Sequence, residues 1–91
     1  MIRRHLVITG KVQGVFYRDW MVEQAESLGL DGWVRNRADG SVEAVVQGAP
    51  EMVEAMIARA REGSPPSRVD AVTVDEAPPE TLSGFVKRPT R

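Results

Sequence analysis

Two stretches of helical spacing, each set between stretches that alternate, fix most of what this chain can become. The first covers residues 17–28, with Tyr17, Met21, Ala25 and Leu28 on one side and Trp20 and Val22 widening the apolar stripe. Gly29 follows as its stop. The second opens at Pro50, a residue suited to the first helical position, and closes at Gly63. Its apolar face is Met52, Val53, Met56, Ile57 and Ala60. Glu51 and Glu54 lie near its start and Arg59 and Arg61 near its end, the order that complements a helix dipole.

The alternating stretches are residues 4–10, 30–37, 41–47 and 68–75. The second of them reads as broken near Asp31-Gly32. Asp39-Gly40 is a hairpin signal, so it and the third form an antiparallel pair. In the fourth, the alternation slips by one between Val69 and Val72, which predicts a bend or bulge. Residues 84–87 suit a short fifth strand at an edge, where Lys87, Arg88 and Pro89 would discourage further pairing. The last three residues read as loose.

The resulting order is β-α-β-β-α-β with a possible short fifth edge strand. Two helices on one face of an antiparallel sheet make a ferredoxin-like α/β sandwich of the α+β class. A chain of 91 residues is read as one domain, residues 1–91. A chain this small buries roughly 60–65% of its unfolded surface, so any pocket is shallow or made by loops. The plan by itself implies no function.

Composition removes several function classes. There are 12 basic and 13 acidic residues, so the excess of positive charge that a nucleic-acid partner needs is missing. No apolar run approaches the ~20 residues of a membrane span, and Leu6-Val7-Ile8 is too short for a leader. The expected location is the cytoplasm and the expected state a monomer. No cysteine is present, which rules out a disulfide scaffold, a thiolate nucleophile and a Cys-based metal site. The single histidine, His5, rules out a multi-His zinc site and reads as a surface or half-buried strand residue.

What remains is one compact unit between the first strand and the first helix: Lys11-Val12-Gln13-Gly14-Val15-Phe16-Tyr17-Arg18. A Gly-containing loop there points backbone N–H groups at one spot, and Arg18 adds a planar charged fork that matches phosphate oxygens. A cation at a helix start is unfavourable unless an anion sits beside it; Asp19 is read as partly offsetting that charge. The loop has neither the Gly-Lys-Ser/Thr of a Walker loop nor a dinucleotide glycine pattern. From the loop alone, a plain turn and an anion cradle are equally good readings. Asn36, by itself, is more often a turn residue than a catalytic one.

The two segments together resemble a known family. Gly10-Lys11-Val12-Gln13-Gly14-Val15-Phe16-Tyr17-Arg18 is similar to the first signature of the acylphosphatases. Gly32-Trp33-Val34-Arg35-Asn36, with Asp39-Gly40, Val42-Glu43 and Gly48, is similar to the second. The resemblance covers nearly the whole chain. It implies metal-independent, cofactor-free hydrolysis of acyl phosphates to a carboxylate and inorganic phosphate. It implies Arg18 as the phosphate-binding arginine, Asn36 as the residue that orients water, and the backbone of Val12, Gln13, Gly14, Val15, Phe16 and Tyr17 as the phosphate cradle. Lys87-Arg88-Pro89-Thr90-Arg91 replaces the aromatic close common in that family, which leaves the pairing of the fifth strand open.

The chemistry suits so sparse an inventory. The leaving carboxylate has a conjugate acid of pKa roughly 4 and departs without a strong general acid. Charge in the loose phosphoryl transition state spreads over oxygens that fixed donors and one arginine can hold. Asn36 can accept from and donate to water but is no base, so its task is positioning. The partners implied are a small acyl phosphate, with inorganic phosphate as product and competitive inhibitor. The reading from a different class is a non-catalytic anion-binding module that uses Arg18 alone. An RNA-binding sandwich ranks third, for want of an aromatic stacking platform.

Overall fold

A computed structural model describes residues 1–91. The elements follow the order β1 (Ile2–Lys11), α1 (Tyr17–Ser27), β2 (Asp31–Asn36), β3 (Val42–Gly48), α2 (Pro50–Glu62), β4 (Arg68–Glu76) and β5 (Phe85–Lys87). The sheet order is β4-β1-β3-β2-β5. This is the expected sandwich, with one correction. The sheet is mixed, because β5 runs parallel to β2 while every other pair is antiparallel. Residues 77–84 give the chain room to pass the sheet again and return in the direction of β2.

Period two separates the faces of the sheet. Leu6 and Ile8 of β1, Val34 of β2, and Val42, Ala44 and Val46 of β3 point toward the helices and are fully buried. Met21 and Ala25 from α1 and Val53, Met56 and Ala60 from α2 meet them, also fully buried. Met52 was expected on this face but stands exposed at the first turn of α2, one position off the stripe. On the opposite face Glu43 joins two strands: His5 Nε2 lies 2.6 Å from one carboxylate oxygen, and Arg35 Nε donates to the other at 2.7 Å. His5 is thus a half-buried strand residue, as expected.

Two glycines set the registers. β1 and β4 slip between Thr9 and Gly10, which is the bulge that the Val69–Val72 spacing predicts. A Cβ on Gly10 would lie 2.2 Å from the Arg68 carbonyl oxygen, so only glycine lets the bulged strand approach. Gly32 does not break β2, contrary to the sequence reading. It is buried within the strand, where a Cβ would lie 1.9 Å from the Val45 carbonyl oxygen. It marks a close approach of two backbones, not an interruption.

Past β5 the backbone stays beside β2. Arg88 N–H donates to the Val34 carbonyl, and Arg91 N–H to the Asn36 carbonyl. At residues 89–91, where composition suggests looseness, Arg91 also accepts from Ala38 N–H. The side chains of Lys87 and Arg88 find partners at the surface: Lys87 pairs with Asp19, and Arg88 with Glu80 and the face of Trp33. No helix is long and apolar enough to cross a membrane.

Candidate active site

The loop leaving β1 enters α1 through two residues of positive φ, Gly14 at 72° and Phe16 at 59°. Glycine accepts that region freely, but a phenylalanine there is under strain. Its neighbours hold it in place. Ser64 Oγ donates to the Val15 carbonyl, and Tyr17 is buried with its hydroxyl donating to the Ala60 carbonyl at 2.8 Å. Burial pushes the Tyr17 phenol far above its ordinary value, so it is a neutral anchor and not a base.

This path leaves donors without acceptors. None of the backbone N–H groups of Val12, Gln13, Gly14, Val15 and Phe16 donates to a backbone carbonyl. The first turn of α1 adds more unpaired N–H groups, and Phe16 supplies no side-chain cap. The loop therefore leaves backbone donors unpaired next to the positive end of a helix dipole.

The second half comes from β2. Asn36 sits two residues beyond Val34 and shares its helix-facing side. Because this is the last residue of the strand, its side chain lies beside the start of α1 instead of in the core. Its Oδ1 is buried and has no hydrogen-bond partner, a costly state for a polar atom. Arg18 and Asn36 line one cleft of about 280 Å³, together with Gly14, Phe16, Asp19 and Lys87. The Arg18 guanidinium makes no ion pair with any carboxylate.

Other predicted loop residues play different parts. Val12, Val15 and Tyr17 bury their side chains in the core. Gln13 turns away from the cleft. Its Nε2 donates to the carbonyls of Arg37 and Ser41, both at 2.8 Å, and so ties the loop to the hairpin after Asn36. Asp39 shapes that hairpin by accepting from the N–H and the hydroxyl of Ser41, which hold its carboxyl below the ordinary range.

One side chain of the cleft escaped sequence reasoning. Lys87 lines the cleft, and its Nζ lies 2.6 Å from Asp19 Oδ1. That bond, with the ammonium charge, holds the Asp19 carboxyl low; Arg18 contributes least. Asp19 therefore answers Lys87 before it offsets Arg18. The signal was the alternation from buried Phe85, which puts Lys87 on the helix side. It was unreadable while the partner of β5 was unknown. No group of three or more carboxylate or imidazole side chains is gathered to hold a metal ion.

The acylphosphatase family profile matches residues 4–87. The chain belongs to the acylphosphatase family. An acylphosphatase of Rhizorhabdus wittichii is 60% identical over 89 residues, which cover 98% of this chain and 90% of that one. The crystal structure of an acylphosphatase from Bacillus subtilis superposes with a TM-score of 0.92 at 31% identity, covering 97% of this chain and 99% of that one. An acylphosphatase structure from Coxiella burnetii gives 0.91 at 37% identity, covering 96% and 92%. The acylphosphatase fold and family together make this chain an acid-anhydride hydrolase that acts on acyl phosphates.

Proposed function

We propose that Arg18 and the backbone N–H groups of residues 12–18 bind the phosphoryl group, and that Asn36 orients the attacking water, with no metal taking part. The observation that carries this is the pairing of two unanswered groups in one cleft. One is the buried Oδ1 of Asn36, and the other is a guanidinium that no carboxylate neutralises. An acceptor of that kind suits a water proton, and a donor fork suits phosphate oxygens.

In this reading the Asn36 side chain turns its amide into the cleft it lines, where water hydrogen-bonds to Oδ1 and directs its lone pair at phosphorus. A phosphorus–oxygen bond to water forms as the bond to the acyl oxygen breaks. The electron pair leaves on the carboxylate, and the water proton ends on the phosphate formed. The transition state gathers charge on the equatorial oxygens, where the loop donors and Arg18 meet it. Asn36 contributes direction, not basicity. Inorganic phosphate occupies the same cradle as product and competes with substrate. The protein works as a cytoplasmic monomer on a small acyl phosphate.

The test is hydrolysis of benzoyl phosphate in excess chelator by wild type, Arg18→Ala and Asn36→Ala. Wild type turns over at full rate, Arg18→Ala loses both binding and turnover, and Asn36→Ala loses kcat while phosphate competes as before. Turnover that chelator abolishes contradicts the metal-free route. No turnover above a blank would favour an anion-binding module. Wild-type rates in Asn36→Ala would remove Asn36 from its role.

A further inference from the structure

We infer that Lys87 is a second phosphate-facing cation, held in reserve by Asp19 and turned toward the phosphoryl group when the cleft is occupied. The inference rests on the reading that this cleft holds a phosphoryl group. Arg18 alone provides a single positive charge for a group that approaches two negative charges. Lys87 is the other cation lining the cleft. It stands on β5, next to the strand that carries Asn36, and alternation from buried Phe85 aims it at the start of α1.

The free state pairs Lys87 with Asp19 at 2.6 Å. Their side chains are 45% and 59% exposed, so water competes for both charges and the pair is cheap to part. The ammonium is a compact charge on a flexible stem, able to swing without disturbing the fold. An incoming phosphate offers more charge than one carboxylate, in a place where loop donors already concentrate positive field. Asp19 keeps the free cleft less positive, so that product phosphate is not held as tightly as a permanently free lysine would hold it.

The deciding comparison is between proteins of equal local charge. Wild type and the Asp19→Asn/Lys87→Met double variant both carry a neutral pair at these positions. If Lys87 only neutralises Asp19, the two bind inorganic phosphate alike. If Lys87 turns to the phosphate, the double variant binds about five- to tenfold more weakly, and Asp19→Asn alone binds more tightly than wild type. Phosphate affinity is read by phosphorus NMR titration, and KM and kcat by benzoyl phosphate hydrolysis. The loss falls mainly on KM and on phosphate affinity, and Lys87→Arg restores much of it. The Asp19 carboxyl carbon resonance also moves when wild type is saturated with phosphate, as its partner leaves. Equal phosphate affinity in wild type and the double variant, or an unmoved Asp19 resonance, overturns the assignment. Phosphate binding that follows this order in a protein that fails to hydrolyse benzoyl phosphate would sink the proposed reaction and leave Lys87 in place.

Discussion

The side-chain amide of Gln13 donates to the carbonyl of Arg37, the residue that follows Asn36. The same nitrogen reaches Ser41 on the other arm of the hairpin. One side chain thus couples the β1–α1 loop to the hairpin that follows Asn36. Gln13→Ala removes both bonds and leaves two carbonyls to find water. We expect a stability loss of about 1–2 kcal/mol, with a fall in kcat larger than the change in KM. Thermal unfolding and steady-state kinetics on the same preparation check this. A fall in stability with kcat untouched would make Gln13 a structural tie only.

Arg18→Lys keeps a charge and loses the planar fork. In the proposed role, two parallel donors to phosphate become one mobile ammonium. Activity should drop by about tenfold or more in kcat/KM, against about 10²–10³-fold for Arg18→Ala. Initial rates over a range of substrate concentrations separate the two variants. A fully active Arg18→Lys protein would show that charge alone suffices.

Gly32→Ala and Gly40→Ala separate contact from conformation. Both positions have positive φ, but a Cβ on Gly32 meets the Val45 carbonyl oxygen at 1.9 Å, while one on Gly40 meets nothing within 4 Å. Gly40→Ala should cost about 1–2 kcal/mol from its dihedral angle alone. Gly32→Ala must also part β2 from β3 and should cost more than 3 kcal/mol or so, beyond the usual range for a point change. Urea midpoints decide, and equal midpoints would refute the distinction.

Glu43 makes stability depend on acid. Burial alone would raise its carboxyl, but the hydrogen bonds from His5 and Arg35 outweigh it and hold Glu43 below its ordinary value of 4.5. A carboxyl lowered in the folded state stabilises the fold above its ordinary value. That stabilisation is lost as pH falls through the lowered one. Glu43→Gln should therefore be less stable than wild type near about pH 6, by roughly 1–2 kcal/mol or several degrees in Tm. The gap should close as pH drops below about 4. A gap that is constant with pH would place the cost in packing instead of charge.

The sequence makes local features legible and leaves non-local ones hidden. Helix ends at Pro50 and Gly63, the hairpin at Asp39-Gly40 and the bulge near Val69 are each written in neighbouring residues. Gly32 misleads because a lone glycine in a strand looks like a break until the Val45 backbone beside it is known. The parallel partner of β5 is invisible for the same reason, as parallel pairing leaves no turn to read. Arg18 suggests an anion from its own segment, but Asn36 alone reads as a turn residue; the resemblance supplies its role, and only folding brings the two to one cleft. Lys87 and its bond to Asp19 span most of the chain and leave no local trace.

The arrangement of the strands gives the two halves of the cleft unequal local stability. The cradle departs from β1, which is laddered on both sides by β3 and β4 over most of its length. Asn36 stands at the end of β2, where one flank is sealed by the three paired residues of β5 and a few backbone bonds beyond them. Small openings at that flank release Asn36 first and leave the cradle formed. With the proposed roles, the enzyme under mild denaturant should then pass through a regime in which it still captures phosphate but no longer aims water at it. Amide exchange would show this as fast exchange at Arg88 and Arg91 and slow exchange at Leu6 and Ile8.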